Sequence, residues 1–187
     1  MSDARRALVS ADELAARAAD LSRAPDAAGA ARGDEIPMVV MRLGNEWLAV
    51  RAAQVREVVA RPVLTLLPLA PECVAGVMNL RGEILAALDV KSLLGLGRNA
   101  ATQPIAVVVW TGDLTGALLV DEVDDVESFM ESARETIVPT LTGSEARLFR
   151  GAFRAAGRLV TELDVDALLH HDQLEGVRDT ADSGRTQ

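Results

Sequence analysis

The stretch GVMNLRGEILAALDV, Gly76 to Val90, decides how this chain folds. Two apolar runs flank Asn79-Leu80-Arg81-Gly82, and this pattern favours a tight hairpin in which Gly82 takes the positive φ. Neither core packing nor turn geometry requires Leu80 or Arg81 at that place. We therefore expect both side chains to be exposed at the tip of the hairpin.

The end of this stretch is echoed later in the chain. Ile84 to Leu88 is predicted to be a buried strand, and Asp89 to be the N-cap of a short helix. The segment Leu88 to Leu94, LDVKSLL, resembles Leu163 to Leu169, LDVDALL. The echo predicts two small barrels side by side, although as a repeat it is weak because the remaining segments differ. The approximate subdomains are 36–98 and 99–175, with exchange of strands at their boundary allowed.

Short apolar segments separated by turns rich in Gly, Pro and Asp follow one another from residue 37 onward. Such spacing is typical of an all-β barrel or sandwich. The predicted strands outside the opening hairpin are Met38–Leu43, Trp47–Arg51, Val55–Val59, Val63–Leu67, Ile105–Trp110, Thr115–Val123, Val126–Phe129 and Arg158–Leu163.

The two ends of the chain have a different composition. Ser10 and Glu13 match a capping box, which predicts a helix over Ala11 to Arg23 followed by a flexible linker. Residues 1–35 are therefore expected to form an N-terminal extension and residues 176–187 a polar tail. The sequence leaves open whether the helix docks on the barrels or waits for a partner.

Composition excludes several classes of function. The chain has 187 residues, 28 acids against 19 bases and a net charge of −9, which argues against nucleic acid or an anionic membrane as the main partner. A single cysteine excludes an intramolecular disulfide and a multi-cysteine zinc site. The sequence contains neither a secretory signal nor an apolar run long enough to span a bilayer. These features predict a soluble cytoplasmic protein that binds other proteins.

The residue types needed for catalysis or metal binding do not form a recognisable set. His170 and His171 are adjacent, so they point in different directions and are expected at a solvated helix end. Cys73 is expected to be a structural thiol. The acidic run Asp121 to Glu127 lacks the ligand spacing of a calcium loop and is expected at a solvated strand edge. Gly95-Leu96-Gly97 more simply ends a helix than begins a dinucleotide fingerprint. We expect no enzyme activity, no metal and no cofactor.

At this point the opening stretch can be matched to a known pattern. GVMNLRGEILAALDV resembles the most characteristic segment of the CheW family, in which Gly-Val-x-Asn-Leu-Arg-Gly precedes an apolar strand and an aspartate. Looser resemblances occur in the family's order over most of Met38 to Leu169. They comprise residues 39–59, 71–76, 116–126 and 149–169.

The resemblance implies a fold and a function. The fold is two five-stranded SH3-like β-barrels with a few short helices, over residues 36–175. The function is that of a non-catalytic adaptor without a cofactor, which couples chemoreceptors (methyl-accepting chemotaxis proteins) to a CheA-type histidine kinase in a bacterial chemosensory pathway. The implied partners are that kinase, the cytoplasmic tip of a receptor and other CheW-like proteins, with recruitment to membrane-associated receptor arrays. The residues implied for the receptor and kinase groove are Val55, Glu57, Asn79, Leu80, Arg81 and Gly82.

Three departures and several alternatives accompany this resemblance. Ala86 stands where the family commonly has proline, and Glu83 stands where an apolar residue is usual. The predicted N-terminal helix and linker extend beyond the minimal family domain. The chain could instead be a CheW-like module of a gliding, pilus or gene-regulatory pathway, one that competes for partners or sequesters them without activating the kinase. A small hydrolase or metal-binding barrel is disfavoured, because the sequence lacks a nucleophile and a ligand set.

Overall fold

Ten β-strands and two short α-helices make up the part of the chain that the structure describes, residues 34–97, 104–112, 114–136 and 144–174 of a computed structural model. The strands are β1 Glu35–Leu43, β2 Glu46–Arg51, β3 Val55–Ala60, β4 Val74–Leu80, β5 Glu83–Asp89, β6 Ile105–Thr111, β7 Leu114–Val120, β8 Glu122–Met130, β9 Phe149–Ala155 and β10 Arg158–Leu163. The helices are α1 Val90–Leu93 and α2 Val165–Leu169. Short 3-10 turns are Ala52–Gln54, Glu131–Ala133, Ser144–Leu148 and Asp172–Leu174. The predicted helix over Ala11 to Arg23 and the tail 176–187 lie outside the described residues.

The strands form two five-stranded sheets. Sheet I has the order β8-β1-β2-β10-β9, and sheet II has the order β3-β6-β7-β5-β4. All neighbours are antiparallel except β2 with β10 and β5 with β7. The prediction of an all-β fold with two five-stranded units is confirmed.

The sheets do not divide the chain at residue 98. The hairpin β1–β2, from the predicted subdomain 36–98, pairs in sheet I, whereas β6–β7, from 99–175, pairs in sheet II. A strand's partner is decided by packing between distant segments, which the order of residues along the chain does not display. The two units therefore exchange a whole hairpin each.

The echo between the two segments marks equivalent places in the two sheets. The β4–β5 hairpin leads into α1 in sheet II as the β9–β10 hairpin leads into α2 in sheet I. Asp89 accepts a hydrogen bond from the Ser92 N–H at 3.2 Å, and Asp164 accepts one from the Ala167 N–H at 3.0 Å. Both aspartates are N-caps, as predicted. In order across the sheets, β8, β1, β2, β10 and β9 correspond to β3, β6, β7, β5 and β4, and we call residues at matching places pseudo-equivalent.

Each sheet curls so that its two ends approach each other, although the strand ladders do not close. Shortly after β3, Thr65 forms a bridge with Val77 of β4, at the opposite end of sheet II. After β8, Glu135 forms the matching bridge with Ala152 of β9. Each bridge has two backbone hydrogen bonds of 2.8 to 3.0 Å. This arrangement is that of two small, incompletely closed barrels.

Alternation along the strands divides the apolar residues among three clusters. In β6, Ala106 and Val108 lie inside sheet II, whereas Val107 and Val109 face the core between the sheets. The central strands are buried on both faces, which explains their continuous apolar sequence. The interior of sheet I is built around Met38, Val40, Ala49, Phe129, Phe153 and Val160. The core between the sheets holds the two units together by burial of apolar area.

Among the described residues no helix approaches the length or apolar character needed to cross a bilayer.

Candidate functional site

The turn between β4 and β5 has a demanding backbone conformation. Leu80 pairs with Glu83, so the loop consists of Arg81 and Gly82 alone. Their φ values are +53° and +93°, and two positive values are the signature of a type I′ turn. Asn79 supports the turn, because its Oδ1 accepts the Gly82 N–H at 2.8 Å. Gly82 is suited to this conformation, whereas a long side chain at Arg81 is held there against its preference.

Arg81 is exposed, but Leu80 is not. The side chain of Leu80 is 7% exposed and packs with Met78 and Leu85 inside sheet II. The expectation of an exposed leucine at the tip is therefore wrong. The alternation of β4 turns position 80 inward, and the two-residue loop begins only at Arg81.

Arg81 and Glu57 come together across the open seam of sheet II. The Arg81 guanidinium donates to Glu57 Oε2 at 3.1 Å, with side-chain exposures of 78% and 19%. Glu57 belongs to β3 and Arg81 to the β4–β5 turn, and these strands are at opposite ends of the sheet. The structure thus brings into contact two residues that stand 24 positions apart in sequence.

A β-bulge in β3 explains how Glu57 reaches the turn. Val55 pairs with Val109 and Glu57 with Val108, so β3 carries one extra residue, Arg56, at this point. Arg56 donates to Glu83 at 2.6 Å. Glu83, which departs from the family pattern, therefore has a partner in this chain.

Val55, by contrast, lies away from the surface. It is fully buried in the core between the sheets, so its implied place in an exposed groove is not where the structure puts it. Of the six residues implied for the groove, Glu57, Asn79, Arg81 and Gly82 lie together at one end of sheet II. Val55 lies beneath that end in the core between the sheets, and Leu80 lies in the interior of sheet II.

Several exposed apolar side chains of sheet II differ from what the sequence predicts. Ile84 was predicted to be buried, but it is 56% exposed, because it pairs with the outward-facing Asn79. Val63, Leu66 and Leu69 are also exposed, in the connection between β3 and β4. This connection was predicted to contain a strand, yet only Thr65 forms a bridge there. The prolines that bracket it were the available signal, since proline interrupts a strand ladder.

The other polar residues singled out in the sequence, His170 and Cys73, lie in surroundings that indicate a structural role. His170 is exposed at the end of α2, as predicted. Cys73 is buried, and burial raises the pKa of its thiol. The described residues contain no group of three or more His, Cys, Asp or Glu placed to hold a metal ion.

The acidic run is more firmly paired than a solvated edge would be. β8 is an edge strand, as expected, but the carboxylates of its segment are half-buried and engaged by cations. The ion pairs are Asp121 with Lys91 at 3.3 Å, Glu122 with Arg42 at 2.6 Å, and Asp124 and Glu127 with Arg158. Asp121 also accepts the Gly44 N–H, so this run holds the β1–β2 turn in place.

Comparison with known proteins agrees with this architecture. The CheW-like domain profile matches residues 37–173. The chain is 26% identical over 139 residues to Chemotaxis protein CheW of Rhizobium meliloti, covering 74% of this chain and 90% of that protein. It is 29% identical over 113 residues to Protein PilI of Pseudomonas aeruginosa, covering 60% and 64% respectively.

A solved structure shares the fold. The scaffolding protein TtCheW of Thermoanaerobacter tengcongensis superposes with a TM-score of 0.67 at 24% identity, over 74% of this chain and 94% of that one. At this identity the likeness concerns the fold alone, and it agrees with the SH3-like description of the two sheets. Because the family profile spans both sheets and the turn between β4 and β5, the chain belongs to the CheW-like domain family.

Proposed function

We propose that this protein is a non-catalytic adaptor that couples chemoreceptors to a CheA-type histidine kinase in a bacterial chemosensory pathway. Membership of the CheW-like family supports a scaffold role in chemotaxis. The protein would act in the cytoplasm and be recruited to receptor arrays at the membrane. Its partners would be the receptor tip, the kinase and other CheW-like chains.

The observation that carries the proposal is the exposed Arg81 on a strained turn. Ala156 takes the same positive φ at the pseudo-equivalent apex of sheet I, so the turn itself does not call for an arginine. Ion pairing to Glu57 is a weak reason, since exposed pairs contribute only about 0–1 kcal/mol. Binding a partner is a stronger one, because arginine is frequent among interface hot spots.

The surroundings of Arg81 suit a protein partner. The guanidinium has five N–H donors in a planar fork, and its contact with Glu57 leaves donors for a carboxylate of the partner. Ile84, two residues after Gly82, supplies exposed apolar surface next to it. An arginine beside an exposed apolar side chain is typical of interface composition. The adaptor would hold receptor and kinase at fixed geometry, and receptor signals would shift the kinase between active and inactive populations.

The proposal is tested by reconstitution with a receptor cytoplasmic fragment and a CheA-type kinase encoded in the same genome. We expect stimulated kinase autophosphorylation, and we expect Arg81→Glu to weaken binding by a factor on the order of 30, the equivalent of about 2 kcal/mol. Arg154→Glu is the matched control, because Arg154 is an exposed arginine on the pseudo-equivalent hairpin. Unchanged binding by Arg81→Glu would remove Arg81 from the site, and absence of any binding by the wild type would refute the adaptor role.

A second candidate is the same kind of module in a gliding, pilus or gene-regulatory pathway. The identity to Protein PilI is the observation in its favour. Kinase inhibition in the reconstituted system would indicate a competitor or sequestering module, whereas stimulation indicates a coupler. A deletion strain scored for swimming and for surface motility separates the pathways.

A further inference from the structure

The tip of the β4–β5 hairpin projects beyond the seam of sheet II. The bridge between Thr65 and Val77 is the point at which the two ends of the sheet meet through the backbone. Arg81 and Gly82 come four and five residues later, roughly 14–17 Å further along the strand direction. The tip is therefore held against β3 by side chains, through the Glu57–Arg81 and Arg56–Glu83 ion pairs.

The two ion pairs differ in exposure. The Arg56 and Glu83 side chains are less exposed than Arg81, and their separation is 2.6 Å. Glu83 is the first residue of β5 and pairs with Leu80, directly below the turn. The Arg56–Glu83 pair thus joins β3 to the base of the turn, whereas Arg81 lies at its apex.

Sheet I contains the same pair with opposite charges. The β9–β10 turn consists of Ala156 and Gly157, which makes Arg158 pseudo-equivalent to Glu83. β8 carries a bulge between Val123 and Val126, at the place of the β3 bulge, which makes Asp124 pseudo-equivalent to Arg56. Arg158 donates to Asp124 at 2.9 Å. In sheet I the acid thus lies on the bulged strand and the arginine on the hairpin, where Arg158 also pairs with Glu127 and lies over the Trp47 ring.

We infer that Arg56 and Glu83 are positioning residues, which hold the hairpin so that Arg81 is presented to the partner. The inference rests on the proposed docking function of Arg81. The partner group that it concerns is a carboxylate, because Arg81 is the exposed cation at the apex. In this arrangement the partner contacts Arg81 and not the Arg56–Glu83 pair.

The physical reason is preorganisation. A turn that moves relative to β3 would have to be ordered when the partner binds, and ordering costs affinity. Arg81 already occupies an unfavourable backbone conformation, so its orientation depends on what holds the base of the turn. Sheet I has an alanine at the apex, so its pair with reversed polarity has no arginine to present.

The experiment is a charge-swap cycle on the full chain, measured as affinity for the receptor cytoplasmic fragment. The variants are Arg56→Asp, Glu83→Arg and the double variant. We expect each single change to weaken binding about fivefold to tenfold, and the double variant to come back to within about twofold of wild type. The sequence of sheet I predicts that the double variant folds, and melting temperatures of all variants check this.

The cycle separates positioning from direct contact. If the partner contacted Arg56 and Glu83 directly, Arg56→Asp and Glu83→Arg would change its affinity in opposite directions, because the first adds an acid and the second a base. Opposite shifts in affinity would overturn the inference, and so would wild-type affinity in both single variants. A double variant that binds as weakly as the single variants, at an unchanged melting temperature, would also overturn it. Should the single variants melt early, Arg56→Gln and Glu83→Gln replace them, and wild-type affinity in both then overturns it.

A matched swap controls for general electrostatics. Arg154 and Glu135 form an exposed ion pair on sheet I at 2.9 Å, and exchanging these two residues is expected to leave receptor affinity unchanged. Loss of affinity in this swap would show that the effects at Arg56 and Glu83 are not local, and would overturn the inference. A wild-type protein that binds neither receptor nor kinase contradicts the proposed function, whereas failed rescue with intact wild-type binding contradicts the positioning role alone.

Discussion

The two sheets share one backbone plan but place their charges differently. Inside sheet I, Glu162 is 0% exposed and lies between Arg51 at 2.9 Å and Arg134 at 2.8 Å. Inside sheet II the pseudo-equivalent residue is Ala87, in an entirely apolar cluster. At the hairpin apex the charged residue is in the other sheet, since sheet II has Arg81 and sheet I has Ala156.

This difference shows which charged residues the shared backbone fold requires and which it does not. Both apexes adopt positive φ, at +53° in Arg81 and +48° in Ala156, so the turn itself does not require arginine. A barrel of this size also does not require a carboxylate at this interior position, because sheet II has Ala87 there. Sheet I uses an ion network to hold the segment after β8, and sheet II presents its extra arginine to solvent. Recognition is therefore expected at the end of sheet II.

The largest predicted effect concerns the glycines at the two seams. A Cβ on Gly76 would lie 2.5 Å from the Thr65 carbonyl oxygen, and its φ is +149°. Gly151 lacks a positive φ, and its Cβ would lie 2.6 Å from Cγ of Arg134, a side chain that Glu131 and Glu162 hold in place. We expect Gly76→Ala to lower the free energy of unfolding by about 3 kcal/mol and Gly151→Ala by about 1–2 kcal/mol, measured in urea.

Gly157→Ala separates the two causes. Its φ is +77°, but nothing lies within 4 Å of the added Cβ, so it should cost about 1 kcal/mol from backbone strain alone. Equal losses for Gly76→Ala and Gly157→Ala would mean that the close approach of Thr65 is unimportant.

The next effect concerns the buried carboxylate of sheet I. Glu162→Gln removes the buried charge that Arg51 and Arg134 share, although both arginines keep their ion pair with Glu131 and some contact with water. We expect a loss of about 2–3 kcal/mol in unfolding free energy, less than for fully buried partners. Glu135→Gln, in an exposed pair, is the control and should cost no more than about 0.5 kcal/mol. Similar losses for both variants would contradict a structural role for the buried network.

The smallest effect concerns the two apexes. Glycine relieves the strain of positive φ, so Ala156→Gly should raise the free energy of unfolding by about 0.5 kcal/mol. Arg81→Gly should raise it by less, because the pair with Glu57 is lost. Thermal unfolding of both variants measures this difference. A clear loss of stability in Arg81→Gly would indicate that Arg81 serves the fold.

Sequence reasoning reached the hairpin, its glycine and the capping aspartates, because each rests on a local rule. Asp89 and Asp164 cap their helices by accepting an N–H from the residue three positions later, a contact that does not depend on distant segments. It failed for Leu80 and Ile84, whose exposures are reversed from the prediction. The loop is two residues long and not four, so Leu80 belongs to β4, where alternation turns it inward, and Ile84 lies opposite the outward-facing Asn79.

The sequence by itself determined the fold class, the number of units and the turn that carries the candidate site, since alternation, glycine positions and helix caps act between near neighbours. The tertiary structure decided which strands share a sheet, and that Arg81 meets Glu57 and Arg56 meets Glu83. These contacts join residues 24 and 27 positions apart across a seam that closes only when the sheet curls. Burial of apolar area on both faces of the central strands drives that curling, and it depends on the whole chain at once.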